Sequence, residues 1–138
     1  MFRTGVLILF AGFLIAGCQG PAQDAEVSVA RSPLETVNLR MRAYNEHDLD
    51  TILSTYSKNV QIYTYPDRSL GTGKSRLEGL FEEMFREGAV RVDIHHQITK
   101  DSYVINHETV ISGGEETEYV SIYEVRDGLI RSVRFVRD

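Results

Sequence analysis

Apolar residues recur with the period of a helix in two consecutive segments, the first of which begins at Ser32. Ser32 is predicted to cap the first helix, Pro33 fits its first turn, and Glu35 completes a capping box. The apolar positions of this helix are Leu34, Val37, Met41 and Tyr44. The segment 45–47 interrupts the pattern, and Asp48 is predicted to cap a second helix. The apolar face of the second helix is formed by Leu49, Ile52, Leu53 and Tyr56.

A third helix is predicted after Lys74. Ser75 and Glu78 have the spacing of another capping box. Apolar residues then follow at i, i+3, i+4, i+7 and i+8, which is the clearest amphipathic pattern in the chain. These residues are Leu77, Leu80, Phe81, Met84 and Phe85. Gly88 is predicted to end the helix.

The remaining segments have the composition and the period of β-strands. Residues 60–65 combine β-branched and aromatic side chains and precede a turn signal, Pro66-Asp67. After Gly88, apolar and polar residues alternate over 90–95. Further strands are predicted over 103–112, 117–125 and 130–136, joined through Gly113-Gly114 and Asp127-Gly128. This order predicts an α+β fold, in which a curved, largely antiparallel sheet wraps on three helices of the N-terminal half.

The first 31 residues have a different pattern, with a short apolar run followed by a polar segment. Arg3 precedes the apolar stretch 6–16, whose length is typical of a signal peptide. The stretch has about half of the roughly 20 apolar residues that a membrane-spanning helix needs. It ends in Leu14-Ile15-Ala16-Gly17-Cys18, which resembles the bacterial lipobox. Residues 1–17 are therefore predicted to be a lipoprotein signal peptide, and Cys18 the lipidated residue.

Cys18 is the single cysteine of the chain, so lipidation accounts for an otherwise unpaired thiol in an exported protein. Residues 18–31 are predicted to be the lipidated cysteine and a flexible tether, and residues 32–138 one domain. Because Gln19 follows the cysteine, we expect a lipid anchor in the cell envelope, on the periplasmic face of the outer membrane in a Gram-negative cell. The alternatives are a plain secretory signal with a chance cysteine, and a buried N-terminal helix.

Composition limits the partners that this chain is expected to have. Its 138 residues fit one domain, and its net charge of −5 disfavours nucleic acid as a partner. His95 and His96 are adjacent, so on a regular strand they point to opposite faces and cannot share a metal ion. No other spacing of histidines and acidic residues resembles a zinc or iron site. The sequence therefore predicts neither a metal site nor a cofactor.

The order and spacing of several segments resemble the nuclear-transport-factor-2-like superfamily, most closely its SnoaL-like and ketosteroid-isomerase-like branch. The resemblance covers about residues 33–137 and depends on 43–50, Tyr56, Val60, 71–74 and 122–130. It implies a conical sheet wrapped on helices, with a pocket that opens at one end. It also implies a homodimer formed through the sheet, since many members dimerise in this way.

The isomerases of this branch use a tyrosine and two aspartates as acid–base residues, and the resemblance assigns each of them a matching position in this sequence. The matching positions are Arg40, Thr64 (or Tyr65) and Ser121, so none of the three is retained. We therefore expect no proton-abstracting dyad of that type. Arg40 either binds an anionic ligand or faces water from its helix.

By the same resemblance, Ile105, His107 and Thr109 lie on the pocket face of one strand. His107 is the candidate catalytic residue, because an imidazole can transfer protons near neutral pH; the alternative is a core or rim histidine bonded to a neighbouring hydroxyl. Tyr56, Tyr63 and Tyr65 either line the cavity or belong to ordinary strand and core packing. The predicted pocket residues are Tyr56, Tyr65, Ile105, His107, Tyr119, Ser121 and Tyr123.

Three functions are consistent with these sequence features. The first is a domain that binds a small, partly apolar ligand in its pocket. The second is a cofactor-free lyase, hydrolase or isomerase that uses His107 and pocket tyrosines. The third is a dimerising module that recognises another protein of the cell envelope.

Overall fold

The computed structural model describes residues 29–138, so the predicted signal peptide and Cys18 lie outside the described residues. The described chain contains three helices and six strands in the order of an α+β fold, which confirms the predicted class. The helices are α1 (Pro33–Glu46), α2 (Leu49–Ser54) and α3 (Lys74–Glu87). The strands are β1 (Tyr56–Thr64), β2 (Arg68–Thr72), β3 (Val90–Lys100), β4 (Tyr103–Ser112), β5 (Glu115–Arg126) and β6 (Leu129–Val136).

The caps of α1 and α2 form as the sequence predicts. The Ser32 hydroxyl accepts a hydrogen bond from the backbone N–H of Glu35, and the Glu35 carboxylate accepts one from the backbone N–H of Ser32. The Asp48 carboxylate accepts a hydrogen bond from the backbone N–H of Thr51. Hydrogen bonds from Ser32 hold the pKa of Glu35 below its usual value, and those from Thr51 do the same for Asp48. These carboxylates therefore stabilise the helix starts as anions.

The predicted capping box of α3 is wrong. The helix begins at Lys74, and its N-cap is Gly73, whose φ of 101° is accessible mainly to glycine. Ser75 therefore lies inside the first turn, and no side chain caps α3. Gly88, with a φ of 73°, ends the helix in the left-handed conformation, as predicted.

Removing the cap of α1 is expected to destabilise the domain measurably. Ser32→Ala leaves a helix N–H without its partner, so the free energy of unfolding should fall by about 1 kcal/mol in urea titrations. Ser75→Ala is the matched control, because Ser75 caps nothing, and it should change the free energy of unfolding by less than about 0.5 kcal/mol. Equal losses for the two variants would contradict the assignment of the cap.

The six strands form one sheet in the order β2-β1-β6-β5-β4-β3. All neighbours are antiparallel except β1 and β6, which are parallel. β2 was not predicted; it follows the turn at Pro66-Asp67 and pairs with β1 at the edge of the sheet. The three helices pack on the concave face of the sheet, where the core residues include Val37, Ile52, Val60, Val104, Tyr123 and Val133.

The hairpin at Gly113-Gly114 fixes the register between β4 and β5. Ser112 pairs with Glu115 across the two-residue turn, so Glu108 pairs with Tyr119 and His107 pairs with Val120. Directly paired residues lie on the same face of a sheet. Glu108 and Tyr119 are therefore on the concave face, and His107 is on the convex face.

A bulge in β3 changes the direction of one histidine side chain. The register between β3 and β4 shifts between Ile94 and His96, and His96 pairs with His107. The ring centroids of His95 and His96 lie 5.2 Å and 5.8 Å from that of His107. The prediction that the two adjacent histidines point to opposite faces is wrong, because the extra residue of a bulge breaks the alternation of the strand.

Candidate ligand pocket

A cavity of about 680 Å³ lies between the helices and the concave face of the sheet. One wall is apolar and belongs to α3, which contributes Leu77, Phe81 and Met84. The facing wall consists of apolar residues from β1 and β6, which are Ile62, Val133 and Phe135. The apolar face of α3 therefore contributes both to the core and to the wall of the cavity.

Arg40 of α1 lines this cavity and is only 7% exposed. Its Nε donates a hydrogen bond of 3.0 Å to the hydroxyl of Tyr56. Its guanidinium carbon lies 5.1 Å from the ring centroid of Tyr44, 5.9 Å from that of Phe81 and 5.7 Å from that of Tyr123. Three aromatic rings thus surround the cation, so the alternative in which Arg40 faces water is wrong.

Arg40 is cationic in this environment. Its burial favours the neutral form, but the nearby Tyr123, Tyr56 and Glu108 outweigh burial and keep the pKa of Arg40 above its usual value. A pattern in the sequence could have revealed the burial, since Arg40 lies three residues after Val37 and four before Tyr44. All three positions share one face of α1.

Glu108 of β4 is a polar residue of the cavity that was not predicted from the sequence, and the same is true of Arg76 and Arg137. Glu108 lines the cavity and is 2% exposed. Its carboxylate accepts hydrogen bonds from the Ser121 hydroxyl at 2.6 Å and from the Asn106 amide at 3.3 Å. Buried carboxylates need such partners, and these two fix the side chain on the concave face. Glu108 can therefore accept a hydrogen bond from a molecule in the cavity.

Two tyrosines of β5 lie on the same concave face. Tyr119 lines the cavity, and its hydroxyl accepts a hydrogen bond of 3.3 Å from Arg137. Tyr123 is completely buried, and its hydroxyl has no hydrogen-bond partner among the described residues. Burial raises the pKa of Tyr123 well above its usual value, so the phenol remains neutral.

The structure separates the predicted pocket residues into four groups, the last of which, Ile105 and His107, lies on the opposite face of the sheet. Tyr56 and Tyr119 line the cavity. Ser121 and Tyr123 share the concave face with Tyr119 but are buried beside the cavity rather than along it. Tyr65 lies outside the cavity, in the turn after β1, and is 56% exposed.

Ile105, His107 and Thr109 lie on the opposite face of the sheet, so their assignment to the pocket is wrong. The physical reason is a slip of one residue in the match for β4, which exchanges the two faces of a strand. His107 contacts the Glu118 carboxylate there, beside His95 and His96. The hydrogen bond and charge of His107 lower the pKa of Glu118. His107 therefore cannot serve as a base for a molecule in the cavity.

Two further observations concern the described part of the chain. Within residues 29–138, no helix has the length and apolarity that crossing a membrane requires. In the same residues, no three side chains of His, Cys, Asp or Glu are placed so that they could hold a metal ion. Dimerisation through the sheet stays a prediction.

Comparison with solved structures shows how widely this architecture occurs. An NTF2-like protein of unknown function from Cytophaga hutchinsonii superposes with a TM-score of 0.70 at 15% identity, over 80% of this chain and 94% of that chain. A computationally designed 17-OHP binder superposes with a TM-score of 0.68 at 17% identity, over 79% and 93% of the two chains. An LEH-like epoxide hydrolase from M. tuberculosis has a TM-score of 0.64 at 22% identity, over 77% and 82%.

These similarities show the NTF2-like fold, in agreement with the resemblance found in the sequence. No curated protein sequence matches the chain significantly. A sequence model of the SnoaL-like domain matches residues 38–133, which begin within α1, include α2 and α3, and reach into β6. Because that match covers more than half of the chain and the fold agrees with it, the chain belongs to the SnoaL-like domain family.

Proposed function

We propose that this domain binds a small, partly apolar molecule in its concave cavity. The observation that carries the proposal is a cavity of about 680 Å³ that is lined mainly by apolar residues together with a few polar groups, among them Arg40, Tyr56 and Glu108. Such a combination is typical of small-molecule sites, in which apolar area provides affinity and the polar groups fix orientation. The fold alone does not specify the ligand or a reaction.

The polar groups define how a ligand would be oriented. The Tyr56 hydroxyl accepts its hydrogen bond from Arg40, so its own proton is free to be donated to a ligand oxygen. Glu108, which also lines the cavity, offers an acceptor for a ligand hydroxyl. The apolar body of the ligand would then lie between α3 and β6.

A neutral fluorescent probe tests this proposal. We expect N-phenylnaphthylamine, an apolar molecule with one N–H group, to bind residues 19–138 saturably, because that segment keeps every described element. Met84→Trp should fill the cavity and weaken binding by about tenfold or more, since the apolar contact area is lost. Glu83→Trp is the matched control, because Glu83 is exposed and does not line the cavity.

The affinity is read from probe fluorescence and the fold from thermal melting. Saturable binding with one site, lost in Met84→Trp and kept in Glu83→Trp, supports the proposal. If the wild-type domain shows no saturable binding, or if folded Met84→Trp binds as tightly as wild type, the cavity is not a ligand site.

We also propose that lipid on Cys18 anchors this domain in the cell envelope, on the periplasmic face of the outer membrane in a Gram-negative cell. The lipobox supports this proposal. The described chain approaches the domain next to Gly128, where the backbone N of Arg31 lies 3.1 Å from the position of an added Cβ. The cavity is lined by the other end of β6, at Phe135, and by Arg137 beyond it. An anchor at the N-terminal side would therefore leave the cavity accessible.

A further inference from the structure

We propose that the ligand of the cavity is an amphipathic anion, an apolar molecule whose carboxylate or comparable acidic group is bound by Arg76 and Arg137 at the mouth. The inference depends on the proposed ligand-binding function and specifies its ligand class. The following observations carry it.

The mouth of the cavity is formed by lining residues that remain exposed to solvent. Two of them are apolar, Leu70 at 39% exposure and Leu80 at 50%. The two others are the arginines Arg76, in the first turn of α3, and Arg137, after β6. A molecule entering the cavity therefore passes both apolar and cationic side chains.

The backbone of β2 makes room for the side chain of Arg76. Gly71 has a φ of 145°, and a Cβ added there would lie 2.3 Å from both Cδ and Nε of Arg76. No L-residue with a side chain could occupy position 71 while Arg76 stays in place. The glycine thus allows the arginine to lie across the edge strand, beside the cavity.

The charges at the start of α3 are opposite to those that favour a helix. Lys74 and Arg76 stand in its first turn, no acidic residue does, and no side chain caps it. The positive end of the helix dipole is stabilised by anions and destabilised by cations. An anion bound by Arg76 would offset this unfavourable arrangement.

Arg137 is also positioned next to the cavity. Its guanidinium carbon lies 5.9 Å from the ring centroid of Tyr119, and its Nη1 donates a hydrogen bond to the hydroxyl of that tyrosine. Among residues 29–138, neither Arg76 nor Arg137 forms an ion pair. Both guanidinium groups are therefore available to bind an acidic ligand.

The charge of the cavity differs in sign from that of the chain. The whole chain has a net charge of −5. The cavity is lined by three arginines, Arg40, Arg76 and Arg137, and by one carboxylate, Glu108, so its cationic side chains outnumber its anionic ones. Glu108 is held by Ser121 and Asn106 and not by the arginines at the mouth. A cleft with one sign of charge attracts ligands of the opposite sign, and guanidinium groups match the geometry of a carboxylate.

Two probes that share one ring system test the proposal. Anilinonaphthalene sulfonate is N-phenylnaphthylamine with an added sulfonate, so the ratio of their affinities isolates the contribution of the charge. We expect the sulfonate to bind wild-type residues 19–138 about tenfold more tightly, the effect of one hydrogen bond to a charged group. Arg76→Gln and Arg137→Gln should each remove most of this ratio, and because the ratio is taken within each variant, it corrects for any change in the affinity of the neutral probe.

Two variants act as controls for this experiment. Arg86→Gln removes the same charge from an exposed position of α3 outside the cavity, and it should leave the ratio unchanged. Gly71→Ala keeps all charges but displaces Arg76, so in a folded protein it should lower the ratio as Arg76→Gln does. The double variant Gly71→Ala/Arg76→Gln should have the same affinity ratio as Arg76→Gln alone.

The outcomes separate this inference from the proposed function. If the neutral probe binds in the cavity and the sulfonate binds no more tightly, the anionic ligand is wrong while the ligand-binding cavity stands. The anionic ligand is also wrong if Arg86→Gln lowers the ratio as much as the variants at the mouth. If neither probe binds wild-type protein, the proposed function itself fails. A ratio lost only in the variants at the mouth supports the inference.

Discussion

Arg40→Met is expected to lower the free energy of unfolding by about 2–4 kcal/mol. The substitution removes a desolvated cation from contact with three aromatic rings, which is worth about 2 kcal/mol or more. It also leaves the buried hydroxyl of Tyr56 without its donor, at a cost of about 1–3 kcal/mol. Methionine restores part of the apolar packing, so the expected loss is less than the sum of these effects.

Urea unfolding of residues 19–138 measures this loss, with an unchanged slope as the sign that the unfolded state is unaffected. Arg42→Met is the matched control, because Arg42 is two residues away on the same helix and is exposed; its effect should stay below about 0.5 kcal/mol. Arg40→Lys keeps the charge without the planar group, so its loss in the free energy of unfolding should lie between those of Arg40→Met and Arg42→Met. An Arg40→Met protein as stable as wild type would contradict a net stabilising contribution of the buried cation.

Cys18→Ser in the full chain is expected to remove the protein from the membrane fraction. The proposed anchor depends on acyl chains, and each buried methylene contributes about 0.8 kcal/mol to membrane binding. The hydroxyl of serine cannot form the thioether that lipidation requires. Intact mass of the wild-type protein extracted from membranes should show cleavage before Cys18 and added acyl mass.

Fractionation of cells at high salt provides the comparison, because salt removes proteins held by charge alone. Gln19→Ala is the control, since it leaves the cysteine in place and should stay in the membrane fraction. A Cys18→Ser protein that remained equally membrane-bound would favour a retained N-terminal segment over a lipid anchor. Wild-type protein in the soluble fraction would favour a plain secretory signal.

The elements that could be predicted from the sequence are those with local causes. The capping box at Ser32, the cap at Asp48 and the turn at Asp127-Gly128 each depend on residues within one turn of chain, and the structure contains all three. β2 escaped prediction because Arg68–Thr72 is mostly exposed and has no apolar alternation. Its pairing with β1, and not its own pattern, makes it a strand.

The candidate site was harder to predict because it depends on register between distant segments. The Gly113-Gly114 turn contained the information that was needed: Ser112 pairs with Glu115, so Tyr119 shares its face with Glu108. The resemblance to the family did not include this pairing. Its one-residue slip in β4 therefore placed His107 on the wrong face of the sheet. No local sequence pattern predicts the bulge that places His95 beside His107, because the bulge depends on the pairing between β3 and β4.

The parallel pairing of β1 with β6 has a consequence for how the domain folds. β6 is the last strand in the chain, yet it lies inside the sheet and joins β1 and β2 to the other three strands. Contacts between segments so distant in sequence require the closure of a long loop, and folds rich in them form slowly. During synthesis from the N-terminus, the sheet therefore cannot be completed until β6 (Leu129–Val136) has emerged from the ribosome.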